Sequence, residues 1–477
     1  MSFTRNHRYP SVKKRFAIWA ALFSVGTLAM PSTALASNER ESLTTDSERY
    51  FKSEDIFNLE YVSEVQVSPN GKYVAYVRRS NDIMSDSSRA NVWLASVDGK
   101  SHRPLLSSKK SYYSIRWSPD GSRLAYLSNE EGKPQLYVRW MDTGQTALVT
   151  NVTSNPSNIT WSPDGKHIAF TMSVDAKEKP LDIKMPKKPD GAKWSPSFQY
   201  ITKARYQADG RGILEPAYTH IFIVPADGGT ARQLTSGNYH HNGRLSFSPD
   251  SDKIYFSANR SDNWEYEPVE GDIFSVDMMG NIAQLTNDKG LESSPVVSPD
   301  GKHIAYARRD DEKVMYKNSY LYVMKSDGTD AKNLTKDVDN SVSNFHWKDN
   351  KHVYFQQSVR GLAQVDVVSL SGSVKAVAKG LGGTTLGRPY VFGTYHAVDD
   401  VVAYTKGRTD RPADLYVTTR NERQLTALNE DVLGHKQLGE VKEIVYPSSI
   451  DGEEIQGWYI LPPNYDSSKT YPLILEI

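Results

Sequence analysis
The sequence predicts an all-β fold, a seven-bladed β-propeller followed by the first strands of an incomplete α/β domain. Three observations carry that reading: a ten-residue motif that recurs along the chain, a second strand-turn-strand element after each copy, and a change of residue pattern beyond Leu433.

The motif "VSPNGKYVAY" at Val67 to Tyr76 returns as "WSPDGSRLAY" from Trp117, "WSPDGKHIAF" from Trp161, "FSPDSDKIYF" from Phe247 and "VSPDGKHIAY" from Val297. Degenerate copies follow, "WKDNKHVYF" from Trp347 and "VDDVVAY" from Val398, which makes seven. Ser, Pro, Asp and Gly fill the four positions of a type I turn, where proline presets φ at the second place and glycine suits the fourth. The flanking apolar residues alternate as in strands with one buried face.

After each copy comes another apolar strand, a polar turn and a strand ending near "QLT", as in "IFIVPADGGTARQLT" from Ile221. Each unit thus supplies about four antiparallel strands, the content of a propeller blade. The turn serines at 68, 118, 162, 248 and 298 lie about 50 apart except for one gap, Ser162 to Ser248, that is almost double. An insertion in one blade, at about 174–217, explains the gap, since that stretch is rich in Lys, Pro and Gly. A blade without its motif, giving eight, is the alternative.

Length alone suggests roughly two to four domains, a count that a large propeller lowers. Lys+Arg 57 balance Asp+Glu 57, so no global field favours nucleic acid or anionic lipid. At the N-terminus Arg5, Arg8, Lys13, Lys14 and Arg15 precede an apolar run from Phe16 to Met30, then small residues ending in Ala34-Leu35-Ala36. This reads as a signal peptide over 1–36, cleaved after Ala36. An uncleaved anchor is the alternative, but the run is shorter than the ~20 residues a span needs, and Pro31 closes it. Residues 37–52 read as a flexible N-terminus. In "SEDIFNLEYV", Ser53 is placed to cap a short amphipathic segment, with Glu54 and Asp55 at its positive end. The propeller is assigned to 53–430. The chain is expected in the bacterial periplasm or secreted, without membrane contact once the signal is gone. With no cysteine it is held by its core alone.

From 431 to 477 the pattern changes. Strands from Val441 to Tyr446 and Glu454 to Leu461 flank the turn "SIDGEE", and "PLILEI" is an almost continuous apolar run of the kind buried on both faces of a parallel sheet. The succession "DG..IQGWYILPPNYD...YPLILEI" after a propeller resembles the prolyl oligopeptidase family of serine peptidases, in its acylaminoacyl-peptidase and dipeptidyl-peptidase branch. "EDIFNLEYVSEVQVSPNGKYVAY" and "ARYQADGRG" are also similar to that family. The resemblance implies that an α/β-hydrolase domain begins at 431–477 and packs on the propeller. It also implies that the oxyanion-hole turn, nucleophile elbow, acid and histidine come after Ile477. The chain contains no G-x-S-x-G, H-E-x-x-H, P-loop or dinucleotide fingerprint of its own. These 477 residues are therefore expected to lack catalytic residues and to be inactive alone. Left in water, Leu473, Ile474, Leu475 and Ile477 would each forgo about 1.5 to 3 kcal/mol of burial, which reads as a truncated segment.

Three residues are candidates to touch substrate. Arg205 in "KARYQADGRG" either faces the central cavity and binds a peptide carbonyl or carboxylate, or pairs at the surface. Glu265 and Glu267 in "NWEYEPVEGD" either hold a substrate's free α-amine, as the resemblance implies, or are solvated loop acids, like Asp262 and Glu270. His240 and His241 are adjacent and cannot readily share a metal, so no metal or cofactor is expected. The lysines of the insertion, Lys177, Lys179, Lys184, Lys187 and Lys188, form a solvated loop or a lid. The expected function is the propeller part of an exported serine peptidase for short peptides, gating access. The rival is a non-catalytic TolB-like periplasmic propeller that binds protein.

Overall fold
The computed structural model describes residues 49–176, 186–195, 200–312, 314, 316–386 and 393–476. The signal peptide with Ala36, most of the flexible N-terminus, and Lys177, Lys179 and Lys184 lie outside the described residues. From Tyr50 onward the chain forms one unit.

Seven four-stranded antiparallel sheets make the ring. Blade 1 contains Tyr61–Val67, Tyr73–Asp82, Ser87–Ser96 and His102–Leu106, in that order from inside out. Blades 2 to 7 run from Tyr112, Ser157, Ser246, Leu291, Ser343 and Tyr395 to Leu148, Gln233, Gln284, Asn333, Leu381 and Gln424. In blade 3 the strand His167–Asp175 pairs in unbroken register with Ala217–Pro225, from His167 opposite Pro225 to Asp175 opposite Ala217. The described residues between those strands include a small hairpin of Gln207–Ala208 with Gly212–Ile213. The extra length of the Ser162 to Ser248 interval therefore lies within blade 3, and the ring has seven blades.

The turn motif is a hydrogen-bonded unit. Ser118 Oγ donates to Asp120 Oδ1 at 2.6 Å and accepts the Arg123 amide at 2.9 Å, and Ser162 and Ser298 repeat the arrangement. These contacts satisfy a serine that the sheet buries completely. The Ser118 and Ser122 hydroxyls hold the Asp120 carboxyl at about 2. Glycine at the fourth place has left-handed backbone, φ 71° at Gly121 and 73° at Gly301, where a side chain is strained.

Burial departs from simple alternation. Arg123–Ser128 is buried along five of its six positions and Tyr73–Asp82 along four consecutive ones, because a blade's middle strands pack between two neighbouring blades. The core is a set of seven apolar seams, one between each pair of adjacent blades. The seam from blade 7 to blade 1 closes the ring without a shared strand. Val62, Val65, Val67 and Tyr76 pack on Ala403 and Leu415, and Asn429 exchanges two hydrogen bonds with the Glu60 backbone.

The motif tryptophans staple seams. Trp117 Nε1 donates to the Gln66 carbonyl, Trp161 to Arg116 and Trp347 to Val296, each reaching the inner strand of the preceding blade. Replacing Trp161 with phenylalanine would leave the Arg116 carbonyl without its 3.1 Å donor. It is expected to lower unfolding free energy by about 1 to 3 kcal/mol in urea titration, with an unchanged m-value.

At the ends, Ser53–Asn58 is a 3-10 helix whose cap is Lys52, not Ser53. The Asp55 carboxylate takes the Lys52 amide at 2.8 Å and the Lys436 ammonium at 2.8 Å, so the acid does the capping and ties the segment to the chain beyond blade 7. After a four-residue helix, Glu430–Leu433, come Val441–Pro447 and Glu454–Ile460, an antiparallel hairpin. "PLILEI" is not strand: with no neighbouring strand among the described residues, Leu473, Ile474 and Leu475 are 87%, 92% and 76% exposed.

Candidate functional site
Connections in an antiparallel blade alternate between the two faces of the ring. The SPDG turns lie on one face, and the loops between second and third strands lie on the other. Three features share this second face. One is the blade 3 insertion, and another is the loop 259–271 of blade 4. The third is the hairpin, which meets the tight turn Arg360-Gly361 of blade 6. Arg360 pairs with Glu443 at 2.7 Å, and the Trp458 ring lies so close that a Cβ on Gly361 would be 2.5 Å from it.

Where insertion and loop meet, the structure assembles an acid, a cation and aromatic faces. Lys203 Nζ contacts Glu265 Oε1 at 2.5 Å, and Glu265 Oε2 accepts the Ala204 amide at 3.1 Å. The ammonium also lies 5.6 Å from the Tyr218 ring and 5.7 Å from Trp264, within cation-π reach. Trp264 stands edge-on to His240 at 5.3 Å, and His240 Nδ1 accepts the Thr219 amide. Burial would raise the Glu265 carboxyl, but the Lys203 and Ala204 hydrogen bonds outweigh it and hold the group below its usual value. Burial lowers the Lys203 ammonium, and Glu265 with Tyr218 more than reverses that. Both partners are therefore charged.

The three sequence candidates are not placed alike. Glu265 is the anchor of the cluster. Arg205 is exposed beside it and makes no ion pair among the described residues. Glu267 is exposed beyond Tyr266 and does not join Glu265; only its backbone carbonyl is used, by Asn259. Asp262 is exposed, and Glu270 accepts the Gly290 amide. Lys187 and Lys188 are exposed. His240 and His241 turn to different neighbours, as adjacency implied. His241 lies against His220 at 3.2 Å and takes a 2.7 Å hydrogen bond from Arg260. No group of three metal-binding side chains occurs among the described residues. Sequence reasoning missed Lys203, Tyr218 and Trp264. The available signal was the pairing of "WE" in one blade loop with a lysine in an insertion that emerges from the same face.

Two family descriptions match the chain: "TolB beta propeller domain" over residues 68–214 and "Dipeptidyl peptidase IV (DPP IV) N-terminal region" over 193–307. The chain is 28% identical over 449 residues to the Bacillus subtilis peptidase YuxL, covering 89% of this chain and 65% of that protein. It is 24% identical over 483 residues to dipeptidyl-peptidase 5 of Porphyromonas gingivalis, covering 97% and 66%. It thus spans just under two thirds of those curated relatives. A shorter match, 30% over 137 residues and 29% of this chain, is to the Tol-Pal system protein TolB of Pseudomonas aeruginosa. In fold it is similar to an acylaminoacyl peptidase of Pyrococcus horikoshii, with TM-score 0.68 at 18% identity, covering 87% of this chain and 60% of that one. The seven-bladed ring and the peptidase relatives that run almost its whole length agree: what the chain carries is a propeller similar to those of prolyl oligopeptidase-family peptidases.

Proposed function
We propose that this is the propeller of an exported serine peptidase acting on short peptides, and that it gates their access to a catalytic domain beyond Ile477. The observation that carries the reading is the hairpin. A two-stranded sheet is marginal alone, and this one exposes Ile444, Val445, Tyr446, Trp458 and Ile460 while anchored to blade 6. It sits on the face that carries the Lys203–Glu265 cluster. A domain seated there would cover the apolar hairpin and close over the cluster. The chemistry is acyl transfer by a serine, with a histidine as base and an oxyanion hole, all supplied by that domain. The 477 residues alone would not hydrolyse peptides. No helix among the described residues is long and apolar enough to cross a membrane, and export rests on the signal-like N-terminus.

Within this reading Glu265 and its aromatic neighbours form an ammonium site that Lys203 fills until a substrate's α-amine displaces it, with Arg205 free to meet a carbonyl. In the complete gene product, Glu265→Gln is expected to raise KM about tenfold for a free-amine dipeptide substrate and to leave an N-acylated one unchanged. Equal effects on both would make Glu265 structural. Failure of the parent to cleave either would remove the peptidase reading. The second reading, a TolB-like binding propeller, is favoured by the matches to TolB, but it gives the anchored apolar hairpin no use.

A further inference from the structure
The inner strands line the central channel. Two positions ahead of each turn stand Gln66, Arg116, Thr160, Ser246, Val296, His346 and His396, polar in all but one blade. His346 Nε2 accepts the Ala397 amide at 3.3 Å, and His396 Nδ1 accepts the Val67 amide at 3.2 Å. An amide can only donate, so the ring hydrogens are on His346 Nδ1 and His396 Nε2. Neither of those nitrogens has a hydrogen-bond partner among the described residues. The two rings stack at 5.6 Å.

Arg244, four positions ahead of the blade 4 turn, reaches past blade 5 and donates through Nη1 to the Phe345 carbonyl of blade 6. It is solvent-exposed although protein atoms surround it densely. The protein packed around it lowers its guanidinium below the usual value, with Arg116 adding to the effect. No carboxylate pairs with it among the described residues. Arg116 is 3.0 Å from Glu64, whose other oxygen accepts the Ser114 amide at 2.8 Å, so the acid is already engaged. Two guanidinium groups therefore face one carboxylate, which leaves a net positive charge on this side of the channel.

We propose that the channel holds a binding site for a small oxyanion, a carboxylate or a phosphate, in which the Arg244 fork takes two oxygens while Arg116 and the His346 and His396 N–H groups surround it. A guanidinium fork matches such planar pairs of oxygens. The site is separate from the Lys203–Glu265 cluster and does not depend on the peptidase reading. The test is thermal unfolding and calorimetry of the full chain at constant ionic strength, with inorganic phosphate, an N-acetyl dipeptide acid and the same dipeptide as its amide. Saturable stabilisation by the acid, by phosphate or by both, with none from the amide, is expected, and the pattern identifies the source. Arg244→Gln should weaken binding at least tenfold while melting cooperatively. If that variant does not fold, Arg244→Lys, which keeps the charge and loses the fork, should bind several-fold more weakly. Equal response to acid and amide, no saturable response, or unchanged affinity in the folded variant would overturn the site.

Discussion

Replacing Glu292 with glutamine is expected to abolish about 3 kcal/mol of stability loss that the parent suffers as pH rises from 4.5 to 7. Glu292 is completely buried where blade 5 begins, beside the Gly271 backbone. Burial pushes its carboxyl up to about 7, against the attraction of Arg308 and with the help of Asp272 and Asp288. Arg308 cannot compensate because it is shared: Asp288 holds it at 2.5 Å, Asp310 at 3.3 Å and Glu292 only at 3.4 Å. A carboxyl raised on folding keeps its proton longer in the folded state. Its contribution is whole below pH 4.5 and is lost as pH climbs through 7. Asp272, pushed up by burial to about 6, works in the same direction. Urea titrations at several pH values should show the parent-minus-variant difference growing over that interval. A flat difference would mean that Glu292 is not raised.

Histidine 241 gives the opposite slope. It is fully buried, and burial lowers its imidazole to about 3, with His220 and Arg260 adding to the effect and the Thr219 carbonyl opposing it. Arg260 donates to Nε2, so a proton there would both lose that bond and place two cations together. The unfolded chain takes up this proton near pH 6.5 and the folded chain does not. The contribution of His241 is therefore full above pH 6.5 and falls by about 3 kcal/mol by pH 4. His241→Gln, whose amide can both donate to Thr219 and accept from Arg260, should remove about 3 kcal/mol of that acid loss and leave the part that the lowered His346 and His396 contribute. Between pH 4.5 and 6.5 the histidine and the carboxyls offset one another, so the two slopes separate only in the variants. An acid limb unchanged in His241→Gln would place the sensitivity elsewhere.

Most of the ring was legible because the turn is a local device. Ser118, Asp120 and Gly121 satisfy one another within a few residues, so each blade prints its own signature. The insertion was legible for the same reason, as an interval between two such signatures. What was not legible depends on partners far apart in sequence. Trp161 reads as a generic apolar residue until its indole is seen on the Arg116 carbonyl. Arg244, His346 and His396 fall on different blades and meet only because the ring closes, although aligning the copies on their turns would have shown a polar column in an otherwise apolar strand. Glu265 could be singled out as a loop acid, but its partner Lys203 lies 62 positions away in the insertion, where no repeat fixes position. "PLILEI" reads as a buried strand from composition, yet a strand needs a neighbour to take its backbone groups, and none is present among the described residues.

The peptidase reading is tested most directly by treating the protein purified from its own host with a fluorophosphonate and following adduct mass alongside cleavage of short peptides. One adduct on a polypeptide that contains the Val67 to Tyr76 blade, with loss of cleavage in proportion to labelling, is the predicted result. No adduct and no cleavage at any stage of purification would contradict it and leave a propeller whose work is binding.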